Sequence, residues 1–381
     1  MAKIKAFFVQ RKKSILQLLG SILMLAVAAG IGIMLGLKKT NDIHKYINEA
    51  VEYLGEANWV ALYKYSEVED SDFINEVMFG NLADDLYGET SLEDINIDSI
   101  YEKDKDASVK VSYVTNDGKN MSCQLEFDKK DITNYIFFPQ WKLDIGHLIA
   151  TDCRIVVKKG FTVYLDGIEL ASDNATITSD DAIGTETYTI PRIFKGEHTI
   201  YFKCDGVEVI EANVKWDNDG SIYEMNTTEI ELVQSQKDVL NSMSKDVVVG
   251  MYSAIFEEGG TEQLKQYYSQ NEEALNGLEA LYNKMLDSLN PDDGSTLNSI
   301  DITSFSYDGV VYSYPDKADV KVSFECTFKA RGPRNKKGGV RERYEGTSSS
   351  EITLHFVKSG DTWLCDSTDM ECIDYSKKEE E

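Results

Sequence analysis

Ala107-Ser-Val-Lys-Val-Ser-Tyr113 and Ala318-Asp-Val-Lys-Val-Ser-Phe324 are near-copies of one another. In both, apolar and polar residues alternate at period two, the pattern of a strand with one buried face. Matches continue outward in the same order. Upstream, Ile95-x-Ile97-x-Ser99 matches Ile300-x-Ile302-x-Ser304. Downstream, Leu125-x-Phe127 matches Leu354-x-Phe356, and Trp141-Lys-Leu-Asp144 matches Trp363-Leu-Cys-Asp366. Four matches in register indicate an internal duplication.

Helical patterns precede the strands of each copy. Ile43, Ile47, Ala50, Val51 and Leu54 recur at helical spacing up to Gly55, and Trp59, Leu62 and Tyr65 suggest a second, short helix. In the second copy Val239, Met243, Val247, Met251 and Ile255 form one stripe, halted by Gly259-Gly260. Leu278, Leu281, Tyr282, Met285 and Leu289 form another, before Pro291-Asp-Asp-Gly294 breaks the chain. Strand pairs follow, turned by Asn116-Asp-Gly118 in one copy and Ser359-Gly-Asp361 in the other. Residues 150–232 between the copies read as all-β. Phe161-Thr-Val-Tyr-Leu165 runs into Asp166-Gly167, and His198-Thr-Ile-Tyr-Phe202 into Asp205-Gly206, as in a small sandwich.

The formal charge is −27, from 39 Lys and Arg against 66 Asp and Glu. Residues 1–41 hold seven basic and no acidic residues, so the remainder carries 32 bases against 66 acids. So acidic a chain repels phosphates, which excludes general nucleic-acid binding. The 42% hydrophobic content excludes a disordered chain. Residues 15–37 carry no charge. As a helix they would span about 34 Å, enough for a bilayer core of about 30 Å. Lys3, Lys5, Arg11, Lys12 and Lys13 precede this run, which predicts a single-pass anchor with its N-terminus in the cytoplasm. Ala26-Val27-Ala28 also reads as a signal-peptide cleavage site. Ala28, Gly32 and Gly36 recur every four residues, a spacing that lets two membrane helices approach closely.

The expected architecture is therefore a transmembrane helix followed by α+β and all-β ectodomains. Its segments are a basic terminus (1–14), a membrane helix (15–37), an α+β domain (40–149), a β-sandwich (150–232), a second α+β domain (233–375) and a charged tail (376–381). Helices followed by strands, the last one bearing Trp, resemble the nuclear-transport-factor-2-like cone. The middle module holds Val163-Tyr-Leu-Asp-Gly167 and Ile190-Pro-Arg-Ile-Phe-Lys-Gly196-Glu-His-Thr-Ile200. With the N-terminal apolar run and the C-terminal domain, these resemble the TcaA family of Gram-positive envelope proteins, best over residues 150–370. The resemblance implies a membrane-anchored protein tied to cell-wall homeostasis and to responses to wall-targeting antibiotics. Members usually begin with a cytoplasmic zinc ribbon of two Cys pairs, which is lacking here: the residues before the apolar run contain no Cys.

Signs of chemistry are sparse. The six Cys (123, 153, 204, 326, 365, 372) form no C-x-x-C, so no metal site is expected. Cys326 and Cys365 each share a strand face with an aromatic residue and are candidates for a disulfide across the sheet, or else are buried free thiols. His44, His147, His198 and His355 stand alone and read as surface or strand-face residues. Ser242-Met-Ser-Lys245 and Ser172-Asp-Asn174 evoke penicillin-binding enzymes, but they occur in the wrong order and without K-T-G. Asp301 with Asp319 is a conceivable acid–base pair in an acid-rich chain. Neither a catalytic set nor a cofactor is expected.

The most distinctive polar stretch is residues 329–343. Lys329, Arg331, Arg334, Lys336, Lys337, Arg341 and Arg343 face Glu342 alone, within glycine- and proline-rich sequence that reads as a hairpin loop. Arg forks match phosphate and carboxylate. The loop reads either as a grip for an anionic cell-wall polymer, lipid head groups or an acidic partner, or as a solvated balance to the molecule's own acid. The leading expectation is a non-enzymatic, membrane-anchored binding or scaffold protein of the bacterial envelope. A sensor or regulatory subunit paired through the glycine stripe, as homodimer or with a membrane partner, comes second. A hydrolase using a cone pocket comes third.

Overall fold

The computed structural model describes residues 21, 23–32, 42–87, 92–115, 118–130, 140–257, 260–292, 294–333 and 341–375. These form two compact units. One runs as far as Tyr201 and includes Glu211–Met225; the other comprises Phe202–Ile210 and the chain from Asn226 onward.

In the first unit α1 (Ile43–Gly55), α2 (Trp59–Lys64) and α3 (Glu76–Tyr87) precede β1 (Glu93–Lys103), β2 (Asp106–Val114), β3 (Asn120–Lys130) and β4 (Gln140–Asp144). Side chains supply the helix starts. Asp42 accepts from the His44 amide, Asn58 from Ala61, and Asn75 from Val77 and Met78. The sheet runs β1-β2-β3-β4. The apolar stripe of α1 is buried with Val109, Val111, Tyr113, Leu125 and Phe127, the inward residues of β2 and β3. Alternation in the strands and helical spacing in α1 thus meet in one core.

Eight strands follow: β5 (Ile149–Lys158), β6 (Thr162–Leu165), β7 (Ile168–Glu169), β8 (Thr176–Asp180), β9 (Thr185–Phe194), β10 (Gly196–Lys203), β11 (Ile210–Trp216) and β12 (Ile222–Glu224). They form two sheets, β11-β10-β6-β7 and β12-β5-β9-β8. Asp166 and Gly167 have φ of 51° and 81°, the left-handed pair that a two-residue hairpin needs between Leu165 and Ile168. Asp166 also receives the Thr199 amide and lies 2.8 Å from His198 Nδ1. His198 Nε2 is 2.8 Å from the Phe194 carbonyl oxygen, and the ring is buried against Trp216. Both ring nitrogens are therefore committed within the fold, and this histidine is a structural staple. Substituting His198→Ala leaves the buried Phe194 carbonyl and the half-buried Asp166 carboxylate without this partner and should cost about 1–3 kcal/mol in urea unfolding.

The second unit holds α4 (Gln234–Phe256), α5 (Glu272–Leu289), β13 (Thr296–Ser313), β14 (Lys317–Arg331), β15 (Arg343–Ser359) and β16 (Thr362–Thr368), with the sheet in the order β13-β14-β15-β16. Odd-numbered residues of β14 face outward, while Ala318 to Ala330 at even positions are buried. That inner face packs with Val247, Met251, Tyr252 and Ile255 of α4 and with Leu278 and Met285 of α5.

The ladders define the duplication. Val109 pairs with Leu125 and Val320 with Leu354; Phe127 pairs with Leu143 and Phe356 with Cys365. The three matches over β2–β4 and β14–β16 are therefore equivalent in space. The upstream match is not. A bulge falls at Asp98 in β1 and at Asp308 in β13, and each bulged Asp accepts from a Ser on the next strand, Ser112 or Ser323. Asp98 thus corresponds to Asp308, and Ile95 to Phe305 rather than Ile300. Each copy also sets a Lys above the ring of its last-strand Trp: Lys129 over Trp141 at 5.3 Å and Lys358 over Trp363 at 5.9 Å.

The predicted architecture is corrected at its first element. Among the described residues no helix is long and apolar enough to cross a membrane, and the described chain is mostly β. This overturns the single-pass anchor over 15–37, the signal-anchor reading and the plasma-membrane placement built on it. Residues 15–20, 22 and 33–37 lie outside the described residues. That includes Gly36 of the Ala28, Gly32, Gly36 stripe.

Candidate functional site

The second copy departs from the first at one place. In the first, the β2–β3 hairpin closes beyond the pair Val114 and Asn120, with Thr115 and Lys119 in the turn. The equivalent pair in the second copy is Glu325 and Ser349, and there the ladder continues to Arg331 opposite Arg343. β13 begins early enough to pair with this extension, from Thr296 opposite Arg331. Residues 296–302, 326–331 and 343–348 thus form a three-stranded platform with no counterpart in the first copy.

Directly opposed residues share a face, so the register assigns the platform's two surfaces. The outer surface has three rungs. Thr296, Arg331 and Arg343 form the first; Ser299, Lys329 and Glu345 the second; Asp301, Thr327 and Thr347 the third. The inner surface holds Cys326, Phe328 and Ala330, all buried. Phe328 lies over Gly346, where an added Cβ would come within 2.6 Å of the ring, and Phe328 meets Tyr344 edge-on at 6.4 Å. Gly346 is thus the only fit beneath that ring. A cavity of about 440 Å³ opens on the inner side, lined in part by Ser288, Gly332, Glu342, Tyr344 and Tyr375. Tyr344 donates to the Tyr375 carbonyl at 2.7 Å and Tyr375 to that of Ser288 at 2.8 Å, which ties the chain after β16 across its mouth.

Of the seven basic residues singled out in the sequence, the structure brings together three. Lys329, Arg331 and Arg343 are strand residues, not loop residues as expected, and Arg341 stands two positions before β15 proper begins. Arg334, Lys336 and Lys337 lie outside the described residues. Lys329 pairs with Glu345 at 3.3 Å. Arg331, Arg341 and Arg343 have no carboxylate partner among the described residues. Two arginines are therefore opposed, about 5 Å apart, with nothing of the described chain neutralising them. The threonines beside them were not anticipated; their signal is the outward alternation of Thr327 and Thr347.

The other candidates disperse. Cys326 is opposite Ser348 and Cys365 opposite Phe356, eight residues apart along β15, or about 26 Å. A disulfide needs Cα atoms within about 7 Å, so the Cys326–Cys365 bridge is excluded and both are free thiols. Burial pushes the Cys365 thiol up to about 12, and burial raises Cys326 as well. Both should resist iodoacetamide in the native protein and react only after unfolding, as read by mass spectrometry. Asp301 and Asp319 are likewise a full eight positions apart in the ladder, and Asp319 lies 2.7 Å from His355 on the exposed face. Ser242 and Lys245 are on the exposed side of α4. Asn174 holds a turn by bonding Glu169, Ala171 and Asp72. Among the described residues no group of three metal-binding side chains converges.

No protein-family model matches the chain, and no curated protein matches it. Among solved structures it is similar to the intermembrane-space region of the chloroplast protein ARC6, with 10% identity over 35% of this chain and 94% of that one, at a TM-score of 0.26. It is also similar to an NTF2-like protein involved in plasmid conjugation, with 10% identity, 87% and 99% coverage and a TM-score of 0.17. Bd1075 of Bdellovibrio bacteriovorus gives 10% identity, 69% and 88% coverage and a TM-score of 0.21. One neighbour thus carries the NTF2-like name. At TM-scores this low none of the three bears on the fold, which rests on the strand order and register above.

Proposed function

We propose that this chain is a non-enzymatic binding or scaffold protein whose second copy presents the outer face of its platform to an anionic polymer. The observation that carries this reading is the rung of Arg331 opposite Arg343. Like charges directly opposed destabilise a sheet, so their placement is advantageous only where an external anion neutralises both. That the platform is what the second copy adds to the duplicated scaffold supports the same reading. The first copy and the sandwich then serve as structural support. The TcaA-like resemblance of residues 150–370 supports placing the polymer in a bacterial cell envelope, with a part in cell-wall homeostasis. Retention of the purified chain on polyphosphate-coated beads tests the proposal. The expected result is binding at low salt that is released as salt rises. Equal passage through coated and uncoated beads would sink it.

A further inference from the structure

We infer that the ligand of this platform is a linear phosphodiester of polyol or sugar units, an inference that rests on the anion-binding reading above. The outer rungs place Arg331 and Arg343 at directly opposed strand positions and, two rungs along, Thr327 and Thr347, with Asp301 beside them. Neighbouring strands are about 4.8 Å apart, and residues two rungs apart about 13 Å. One phosphodiester spans the arginine pair, each fork taking one of its unesterified oxygens. Thr296 flanks the pair on β13, and the Lys329–Glu345 pair separates the arginines from the threonines. The hydroxyls further along meet hydroxyls about 13 Å along the polymer, beyond its next phosphate in a glycerol phosphate chain, donating and accepting at once.

Two other phosphate-bearing surfaces fit less well. A bilayer surface is held by apolar side chains that insert beneath the head groups, and no residue of the platform is among the exposed large hydrophobics. Single-stranded nucleic acid is held by bases stacked on aromatic rings, and the outward rungs contain none. The platform's aromatic residues, Phe328 and Tyr344, are on its inner side.

The test is a competition on the full chain with four probes at equal phosphate: synthetic poly(glycerol phosphate), inorganic polyphosphate, phosphatidylglycerol vesicles and oligo-dT. Poly(glycerol phosphate) should bind about tenfold tighter than polyphosphate, and more tightly than the vesicles or oligo-dT. Replacing Thr327→Val and Thr347→Val should weaken poly(glycerol phosphate) by about three- to tenfold and leave polyphosphate unchanged. Valine keeps the strand, so the fold is retained. Equal affinity for poly(glycerol phosphate) and polyphosphate would overturn the polyol assignment and leave anion binding standing. Preference for vesicles or oligo-dT would overturn it too. Binding of no probe would overturn both readings.

Discussion

Substituting Arg331→Thr and Arg343→Thr together should weaken polyanion binding by at least about tenfold, while the protein becomes slightly more stable. The two effects share one cause. The guanidinium groups stand on opposed strand positions with no carboxylate against them. Their mutual repulsion is removed by the double substitution, worth about 0.2–1 kcal/mol in unfolding, and Thr suits an exposed strand. Removing one charge-assisted hydrogen bond between protein and polyanion costs about 1.5–3 kcal/mol, so weakened binding is much the larger effect. The dependence of log affinity on log salt should also become shallower by roughly one to two. Binding isotherms at several salt concentrations, beside urea titrations of both proteins, measure all three quantities. A variant that binds normally removes the arginine rung from the site. A variant that both unfolds and fails to bind would mean that the rung is structural.

Trp363→Ala should be the most damaging single substitution in the second unit, at about 3–5 kcal/mol. The side chain is 1% exposed, its indole donates to Gln236 of α4 at 2.8 Å, and Tyr312 meets it edge-on at 6.2 Å. Truncation leaves a cavity, an amide acceptor without its donor, and Lys358 without the ring beneath it. The expected readout is an earlier urea midpoint with loss of amide protection across β13–β16. Trp363→Phe keeps most of the volume and loses the indole bond, so it should fall well short of that cost. If Phe is as damaging as Ala, the Gln236 bond rather than volume dominates.

Much of the strand content was legible because alternation is a local signal. Val109, Val111 and Tyr113 point inward in β2 as Val320, Val322 and Phe324 do in β14, and period two alone implies this. The α1 stripe Ile43, Ile47, Ala50, Val51 and Leu54 is buried as a set for the same kind of reason. The dipeptides Tyr65-Ser66 and Tyr268-Ser269 are a further match between the copies, each beside its copy's last strand: the Leu143 amide donates to the Tyr65 carbonyl and the Ser269 amide to the Cys365 carbonyl. Two residues are too few to distinguish from chance. The apolar run over 15–37 predicts a membrane span by hydropathy alone, whereas among the described residues no helix is long and apolar enough to cross a membrane.

By itself the sequence determined that this protein is a duplication, which strands face a core, and that one basic run breaks an acidic chain. Tertiary structure decided where that run acts. Register is a match between strands distant along the chain, and each of the three bulges of β13, at Asn298, Thr303 and Asp308, shifts its pairing with β14 by one. Spacing within one strand cannot reveal such a shift. For that reason the ladder, and not the sequence, separates Cys326 from Cys365 and aligns Ile95 with Phe305. It also places Arg331 against Arg343 on a platform that the first copy lacks.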